Sequence, residues 1–396
     1  NIKIYINGSL QINYFDGDPV LKEGRIALES YFSHAHFSNI KITSEEETYN
    51  YNFDRDDNEF IFGYGWTHSY FLRLKEYPTH ITLYRENNYK EIYIPNQDGT
   101  YSSIPINYYQ KLTKDNTGFS LKTKYGIHYR FDLEGRLLYI EDRNLNRTTL
   151  EYSLINGKTL LTSITEPSGR KITLEYGPNN MVKKAYDPEG NFLQYFYDKN
   201  NHLIKVVDRV GNTTEYHYDP ITHNIIRIID PEGNVYSYTY TYNNRVKMQI
   251  DPLKNKTIFD YLWSTTHITN SRGETYKYNF DKPGFLQSIT DPKEIMERTV
   301  NDPNGNILEY HDKNNRWTQF KYDDYGNLIE IKAPAGVTTR FTYNEYNQIT
   351  SILDPNENLT TFNYDQRGNL IEIINPLGEK TTFTYDSSGQ LISITD

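Results

Sequence analysis

The two histidines of the segment Ser-His-Ala-His-Phe come nearest to a metal site in this sequence. His34 and His36 are two residues apart, so on a strand both side chains would point to the same face. A zinc site needs at least three protein ligands, and no clear third ligand lies near them in the sequence. Exposed or packed histidines are the favoured interpretation, and we predict no metal here.

Aspartates in a recurring turn could attract calcium, because hard cations prefer oxygen ligands. Asp-Pro-Glu-Gly-Asn begins at Asp187 and at Asp230, and Asp-Pro-Asn-Gly-Asn begins at Asp302. A calcium loop needs several carboxylates at alternating positions and a distal glutamate, whereas each of these turns has one aspartate followed by proline. The chemistry of turns explains the pattern better.

Composition alone does not exclude paired carboxylates for glycoside hydrolysis, since the chain has 52 acidic residues. However, the aspartates recur once per repeat, which a structural role predicts and a catalytic role does not. The sequence contains no Gly-x-Ser-x-Gly, phosphate loop or dinucleotide fingerprint. It also has no cysteine, which excludes thiolate catalysis and disulfides. We predict a protein that is not an enzyme, with no catalytic residues and no cofactor.

Charge and hydropathy narrow the class of protein further. The net charge is −10 and no basic stripe occurs, which argues against a nucleic-acid partner. No apolar run approaches the roughly 18 residues of a membrane span. Aromatic residues reach 15%, with 38 tyrosines, whereas disordered chains are poor in aromatics. Tyrosine suits a pleated surface, so an all-β chain is expected.

An internal repeat organises most of the sequence. Anchors stand 21 residues apart at Asp396, Asn375, Asp354, Ala333, Asp312 and Asp291. Each unit has one segment that alternates as Thr-x-Phe-x-Tyr and a second that alternates as Ile-x-Ile, and a period of two predicts strands with unlike faces. We expect stacked hairpins to bury the aromatic and isoleucine faces continuously.

The two segments are separated by turn sequences. Tyr-Asp-x-x-Gly-Asn comes after the first segment and Asp-Pro-x-x-Asn comes after the second. Aspartate can accept a hydrogen bond from the backbone two residues on, proline presets φ, and glycine or asparagine supplies positive φ. Each unit is therefore predicted to be a β-hairpin. On the order of 25 strands would form one long sheet, and strand twist would make it curl.

This pattern resembles the YD repeat of Rhs, wall-associated and insecticidal toxin-complex proteins and, more distantly, of teneurins, over residues 130 to 396. The resemblance implies a hollow β-shell that commonly encloses a C-terminal toxin or effector. The matching turn and core residues, all expected to be structural, are Tyr218, Asp219, Asp230, Tyr322, Asp323, Gly326, Tyr343, Asp354, Tyr364, Asp365, Gly368, Tyr385, Asp386 and Gly389.

The N-terminal third carries two weaker resemblances. Gly63, Gly65, Trp66 and Tyr70 resemble the structural motif that leads into the shell in this family. Residues 1–42 resemble the closing strands of a concanavalin-like or laminin-G-like jelly roll, in Gly24-Arg25-Ile26-Ala27-Leu28 and Phe37-Ser38-Asn39-Ile40. The expected organisation is therefore a truncated jelly roll at 1–42, the family's entry segment with irregular strands at 43–129, and YD repeats at 130–396.

Two functions remain open from the sequence. One is a non-catalytic shell segment of a secreted bacterial toxin, with a C-terminal effector segment of the same parent chain as partner. The other is an adhesive or structural surface protein that self-assembles and whose jelly roll binds glycan or cell-wall components. Both place the protein outside the cell or on its surface. The sequence of the parent protein beyond Asp396 would discriminate between them.

Overall fold

The structure is a computed structural model that describes residues 2–6, 9–14, 39–43, 48–52, 60–86, 89–104, 110–281 and 284–396. Within these ranges the regular structure is β apart from one 3-10 turn at Pro334–Gly336.

Two short hairpins come first. Strand β1 (Ile2–Ile6) pairs with β2 (Ser9–Tyr14), and β3 (Asn39–Thr43) pairs with β4 (Thr48–Asn52). Next comes a four-stranded antiparallel sheet, formed by β5 (Leu72–Glu76), β6 (Ile81–Arg85), β7 (Lys90–Pro95) and β8 (Tyr101–Ile104).

One sheet of 28 strands contains the rest of the chain, and each strand pairs antiparallel with the next one along the sequence. Its first half consists of β9 (Gln110–Asp115), β10 (Gly118–Thr123), β11 (His128–Phe131), β12 (Leu137–Glu141), β13 (Arg147–Ile155), β14 (Lys158–Thr165), β15 (Lys171–Tyr176), β16 (Val182–Tyr186), β17 (Phe192–Tyr197), β18 (Leu203–Val207), β19 (Thr213–Tyr218), β20 (Ile225–Ile229), β21 (Val235–Tyr240) and β22 (Val246–Ile250). Its second half consists of β23 (Lys256–Tyr261), β24 (Thr265–Thr269), β25 (Thr275–Phe280), β26 (Leu286–Thr290), β27 (Met296–Asn301), β28 (Ile307–His311), β29 (Trp317–Tyr322), β30 (Leu328–Lys332), β31 (Thr338–Tyr343), β32 (Ile349–Leu353), β33 (Leu359–Tyr364), β34 (Leu370–Ile374), β35 (Lys380–Tyr385) and β36 (Leu391–Thr395).

The Tyr-Asp turns are three-residue hairpin loops with a bulge. In the turn after β33, Asp365 N–H donates to the Asn369 carbonyl at 2.9 Å, and Gly368 N–H donates to the Asp365 carbonyl at 3.0 Å. The register shifts between Asn363 and Tyr364, and Gly368 has φ +85°. A type I turn followed by a glycine bulge gives this geometry. The repeated sequence thus specifies both the turn and its register.

Glycine and asparagine do not occupy all the positive-φ turn positions, contrary to the expectation from the sequence. Other residue types that take positive φ in turns of the long sheet are Leu145, His223, Lys254, Glu294, Ala335 and Glu357. A side chain with a β-carbon costs about 1 kcal/mol or more in this conformation. The hydrogen bonds of these turns therefore outweigh the conformational free energy that positive φ costs at these residues.

The two faces of the long sheet differ as predicted. We call one of them the aromatic face, because it carries the side chains of the Thr-x-Phe-x-Tyr and Ile-x-Ile patterns. Phe362, Tyr364 and Ile373 belong to it, and Phe362 lies opposite Ile373. The other face is polar and ion-paired, for example Lys380 with Glu372 at 2.8 Å. Side chains alternate in this way because successive residues of a strand point to opposite faces.

The aromatic face is fully buried only near the start of the long sheet. There the β5–β8 sheet forms a second layer, and Leu74, Leu83 and Tyr93 pack with Leu121 and Leu150 in one core. Among the described residues after Leu203, the aromatic face is mostly half-buried. The expectation of continuous burial is therefore wrong for most of the repeats, because neighbouring hairpins extend the same layer and do not cover it.

Two expected boundaries fall inside elements. Residue 42 lies within β3, which pairs with β4, and residue 129 lies within β11. The long sheet begins at β9, earlier than the first clear repeat unit, and the strands at 72–104 form a regular sheet where irregular strands were expected. Gly24–Leu28 and the histidines His34 and His36 lie outside the described residues.

Candidate functional site

The repeat aspartates organise their own turns. Asp365 Oδ1 accepts hydrogen bonds from the N–H groups of Arg367 at 2.9 Å and Asn369 at 2.8 Å, and its Oδ2 accepts from the Asn369 side-chain amide. Asp354, in the other type of turn, repeats this pattern with Asn356 and Asn358. The predicted bond from the residue two positions on is thus present in both turns.

These bonds also stabilise the ionised carboxylate. The Asn358 side chain and backbone N–H groups hold the pKa of Asp354 below its ordinary value. A carboxylate with a lowered pKa contributes stability above its ordinary pKa, and this is lost as the pH falls through the lowered value. Asp230 uses both oxygens in the same way, toward the N–H groups of Glu232 and Asn234 and the Asn234 amide. Three turn donors thus bond to this carboxylate, as a structural role in the turn predicts.

The second aromatic residue of each unit joins one hairpin to the preceding one through its hydroxyl. Tyr364 Oη donates to the Ile349 carbonyl at 2.8 Å, which lies 15 residues back. The same bond joins Tyr152 to Leu137, Tyr176 to Leu161, Tyr197 to Val182, Tyr218 to Leu203, Tyr240 to Ile225, Tyr261 to Val246, Tyr322 to Ile307, Tyr343 to Leu328 and Tyr385 to Leu370. In β27 the Asn301 side-chain amide donates to the Leu286 carbonyl instead. This bond explains a tyrosine where phenylalanine would serve packing alone.

Replacing Tyr364 with phenylalanine is expected to cost about 1 kcal/mol locally, because the Ile349 carbonyl loses its donor. Hydrogen exchange of the β32–β34 amides should become about fivefold faster. Tyr325→Phe is the matched control, since Tyr325 is 66% exposed in a turn and should leave these rates unchanged. Equal effects of the two substitutions would mean that the hydroxyl bond does not join the hairpins.

The leading segment, residues 60–71, packs onto the turns and strands of β16–β20. Val182 N–H donates to the Ile61 carbonyl at 2.7 Å, and Trp66 Nε1 donates to Tyr218 Oη at 2.9 Å. Gly63 has φ +98°, and a β-carbon there would lie 2.8 Å from the Asn201 carbonyl oxygen, so a side chain at this position would clash. Burial raises the pKa of Tyr218 to about 12.

The four motif residues of the leading segment have different surroundings. Trp66 contacts the Tyr216 ring edge-to-face at 5.0 Å, and Tyr70 packs against the buried core. Gly65 has φ +79°, but a β-carbon there would meet open space. Gly65 therefore provides a backbone conformation, whereas Gly63 also allows a close approach of two chain segments.

Turns that are far apart in sequence, and that belong to opposite edges of the long sheet, meet each other. The side-chain amides of Asn144 and Asn369 donate to each other's oxygens at 3.0 and 2.9 Å, across 225 residues. Arg143 donates to the Tyr346 carbonyl at 2.7 Å, and Asn146 donates to the Ser388 carbonyl at 2.8 Å. The sheet therefore winds until turns of the Tyr-Asp type contact a turn between β12 and β13. We call this the winding contact.

Two features were not predicted from the sequence: the winding contact, and a hydrogen-bonded group of Asp198, His202 and His223. His202 is 2% exposed and bonds to both other residues at 2.7 Å. The signal was present in the repeat, because His202 stands where the equivalent turns carry Asn327 or Asn369. Within the described residues, no group of three or more histidine, cysteine or acidic residues is arranged to hold a metal ion.

A search for membrane-spanning helices finds none in the part of the chain that the structure describes.

Comparisons with known proteins find one matching family model and several solved structures of similar fold. Residues 298–395 match the family model described as Teneurin YD-shell. No curated protein matches the chain. The crystal structure of TcdB2-TccC3 without its hypervariable C-terminal region is similar, with 12% identity and a TM-score of 0.50, over 82% of this chain and 21% of that one.

Two further solved structures give the same result. A TcdB2-TccC3-Cdc42 crystal structure has 12% identity and a TM-score of 0.51, over 79% of this chain and 20% of that one. A Photorhabdus luminescens Tc holotoxin pore has 12% identity and a TM-score of 0.50, again over 79% and 20%. The chain spans about a fifth of the length of these relatives, and at this identity the likeness concerns the fold.

Proposed function

We propose that this chain, a YD-repeat protein, forms part of the wall of a β-shell that encloses a polypeptide effector. The predicted family is supported by the match at residues 298–395 and by the shared fold. The role is that of a scaffold without catalysis, in a secreted or surface-exposed protein. The effector would be a C-terminal segment of the same parent chain.

The winding contact is the observation that carries this proposal. A sheet that returns on itself after about ten hairpins bounds a space, whereas an extended stalk of hairpins would not bring Asn144 against Asn369. Edge-to-edge contact also covers turns that would otherwise be open to proteases. Both properties suit a container.

The aromatic face is a second observation in favour of an enclosed polypeptide, because it offers an apolar surface. The chain's own non-repeat segments pack on this face, as Phe62 does against Tyr195 with ring centroids 5.1 Å apart. Further along the sheet the same face has no second layer among the described residues, and Phe362 and Ile373 are half-buried there. A partly unfolded polypeptide could cover such a surface by hydrophobic contact.

Protease protection of the parent protein tests this function. The full-length protein, isolated from its natural host, would be digested before and after mild denaturation, and the surviving fragments identified by mass spectrometry. We expect a segment C-terminal to this chain to survive only while the repeats are folded. Digestion of that segment at the same rate in both states would overturn the enclosed effector and leave a surface or fibre protein as the function. The glycan-binding alternative depends on residues 1–42, and no described contact favours it.

A further inference from the structure

Asp198, His202 and His223 form a hydrogen-bonded chain beneath the leading segment. His202 Nδ1 lies 2.7 Å from Asp198 Oδ2, and His202 Nε2 lies 2.7 Å from His223 Nδ1. The Tyr64 ring covers both imidazoles, with centroid distances of 6.1 Å to His202 and 5.4 Å to His223. The two histidines, of which His202 is buried, therefore lie at the contact between the leading segment and two adjacent turns.

Neither histidine is needed for the geometry of its turn. His202 takes the position of Asn369, which donates to its aspartate in the same way. His223 has φ +60°, and the equivalent positions hold Gly368 at +85° and Asn347 at +59°. Asparagine would satisfy both turns, so the histidines have a property that turn formation does not explain.

Hydrogen-bond donors and acceptors limit how many protons the closed pair can hold. Because the Asp198 carboxylate accepts, His202 Nδ1 carries a hydrogen, and a neutral His202 must then accept at Nε2 from His223 Nδ1. One extra proton can be added, since one of the two facing nitrogens still accepts. A second extra proton would place two N–H groups and two positive charges against each other at 2.7 Å. The closed arrangement therefore holds one proton fewer than two separated histidines.

The leading segment depends on this arrangement through several contacts. Tyr64 N–H donates to the Asn201 carbonyl at 2.9 Å. Tyr218 stacks on His202 at 4.6 Å and accepts from Trp66. Separating the two imidazoles would disturb the Tyr64 and Tyr218 rings together and release the segment.

Other titratable groups surround the pair. Asp198 and Tyr218 face His202. Asp219 lies on the same turn as His223, and its pKa is lowered mainly by hydrogen bonds from the Thr222 and Ile221 backbone. From the leading segment, Tyr64 faces both histidines. His68, in the same segment, packs against Phe62 and Phe71, and burial lowers its pKa to about 4.

We propose that Asp198, His202 and His223 form an acid-sensitive latch that holds the leading segment on the shell at neutral pH and releases it when both imidazoles are protonated. The proposal concerns regulation of the wall and does not require an enclosed effector. Free histidine titrates near pH 6.5. Since the open state binds more protons, the closed state is favoured above that pH and is lost as the pH falls, by up to about tenfold per pH unit for each proton.

Hydrogen exchange of the complete chain measures this opening. Exchange of the Tyr64 and Trp66 amides, corrected for the intrinsic effect of pH, gives the opening equilibrium between about pH 7.5 and about pH 5. We expect the opening constant to rise steeply below about pH 6.5. Amides of the β13–β15 strands provide an internal reference and should not show this rise.

The matched control is the double variant His202→Asn/His223→Asn, which restores the residues of the other turns. It keeps His68, whose pKa is lowered by burial. Opening would expose His68 and let it bind a proton, so this residue also favours release in acid. The double variant should therefore retain a shallower rise, and wild type should exceed it by about tenfold or more in opening constant at pH 5. Parallel curves for wild type and the double variant, or an opening constant of wild type that does not change with pH, would overturn the latch. The single variant His223→Asn checks that a folding defect is not responsible, and it should behave like the double variant.

Discussion

Replacing Gly135 with alanine is expected to destabilise the chain by about 3 kcal/mol or more. A β-carbon at Gly135 would lie 1.9 Å from the carbonyl oxygen of Leu74, in the neighbouring β5–β8 sheet. Leu74 N–H donates to the Gly135 carbonyl at 2.9 Å, so the two backbones cannot separate without losing this bond. Urea unfolding followed by circular dichroism would measure the loss.

Gly233→Ala is the matched control for that substitution. Gly233 has the same φ, +81°, but a β-carbon there would meet nothing within 4 Å. It should cost only about 1 kcal/mol, the backbone part of the effect. If the two substitutions cost the same, Gly135 does not lie against the second sheet, and the two-layer packing at the start of the long sheet is wrong.

Leu83→Ala is expected to cost about 3 kcal/mol, because it removes a side chain that is 0% exposed and leaves a cavity among packed neighbours. Leu83 lies in β6, in the layer that covers the aromatic face at the start of the long sheet. The midpoint of urea unfolding gives the loss directly.

Leu377→Ala provides the comparison, since Leu377 is 84% exposed in a turn and should change stability by less than about 0.5 kcal/mol. A cost at Leu83 no larger than at Leu377 would show that β5–β8 do not pack on the long sheet. A large cost at both positions would show that the exposed turn is covered in solution.

The hairpins were predictable because their determinants are local. The alternation of Thr360, Phe362 and Tyr364 predicts a strand, and the structure has β33 there. Asp365 and Gly368 predict the turn that follows, which is also present. The tyrosine hydroxyl bond could also have been inferred. The second aromatic position holds tyrosine in nearly every unit, whereas the first position holds tyrosine in some units and phenylalanine in others. A strict preference for tyrosine at one position indicates that its hydroxyl group is needed there.

The second layer and the winding contact could not be predicted from the sequence. The period of two fixes which side chains share a face, but the number of hairpins in one winding depends on small twists that add up over the whole sheet. Asn144 and Asn369 each occur in ordinary turn sequences, and nothing local marks them as partners. The same applies to Leu74 and Gly135, whose contact joins two separate sheets.

A designed cross-link between two windings tests the central claim most directly. The chain has no cysteine, so Asn144→Cys with Asn369→Cys would introduce the only pair, at side chains that bond to each other at 3.0 Å. Two amides that donate to each other keep their β-carbons farther apart than the roughly 4 Å that a disulfide needs, so a short thiol-reactive cross-linker would join the two sulfurs. Asn144→Cys with Asn306→Cys is the control, since Asn306 has the equivalent position in an earlier turn. The account predicts nearly complete intramolecular cross-linking of the first pair and none of the second, read by mass spectrometry under non-reducing conditions. Absence of the first cross-link, or equal cross-linking of both pairs, would contradict a sheet that winds back onto itself.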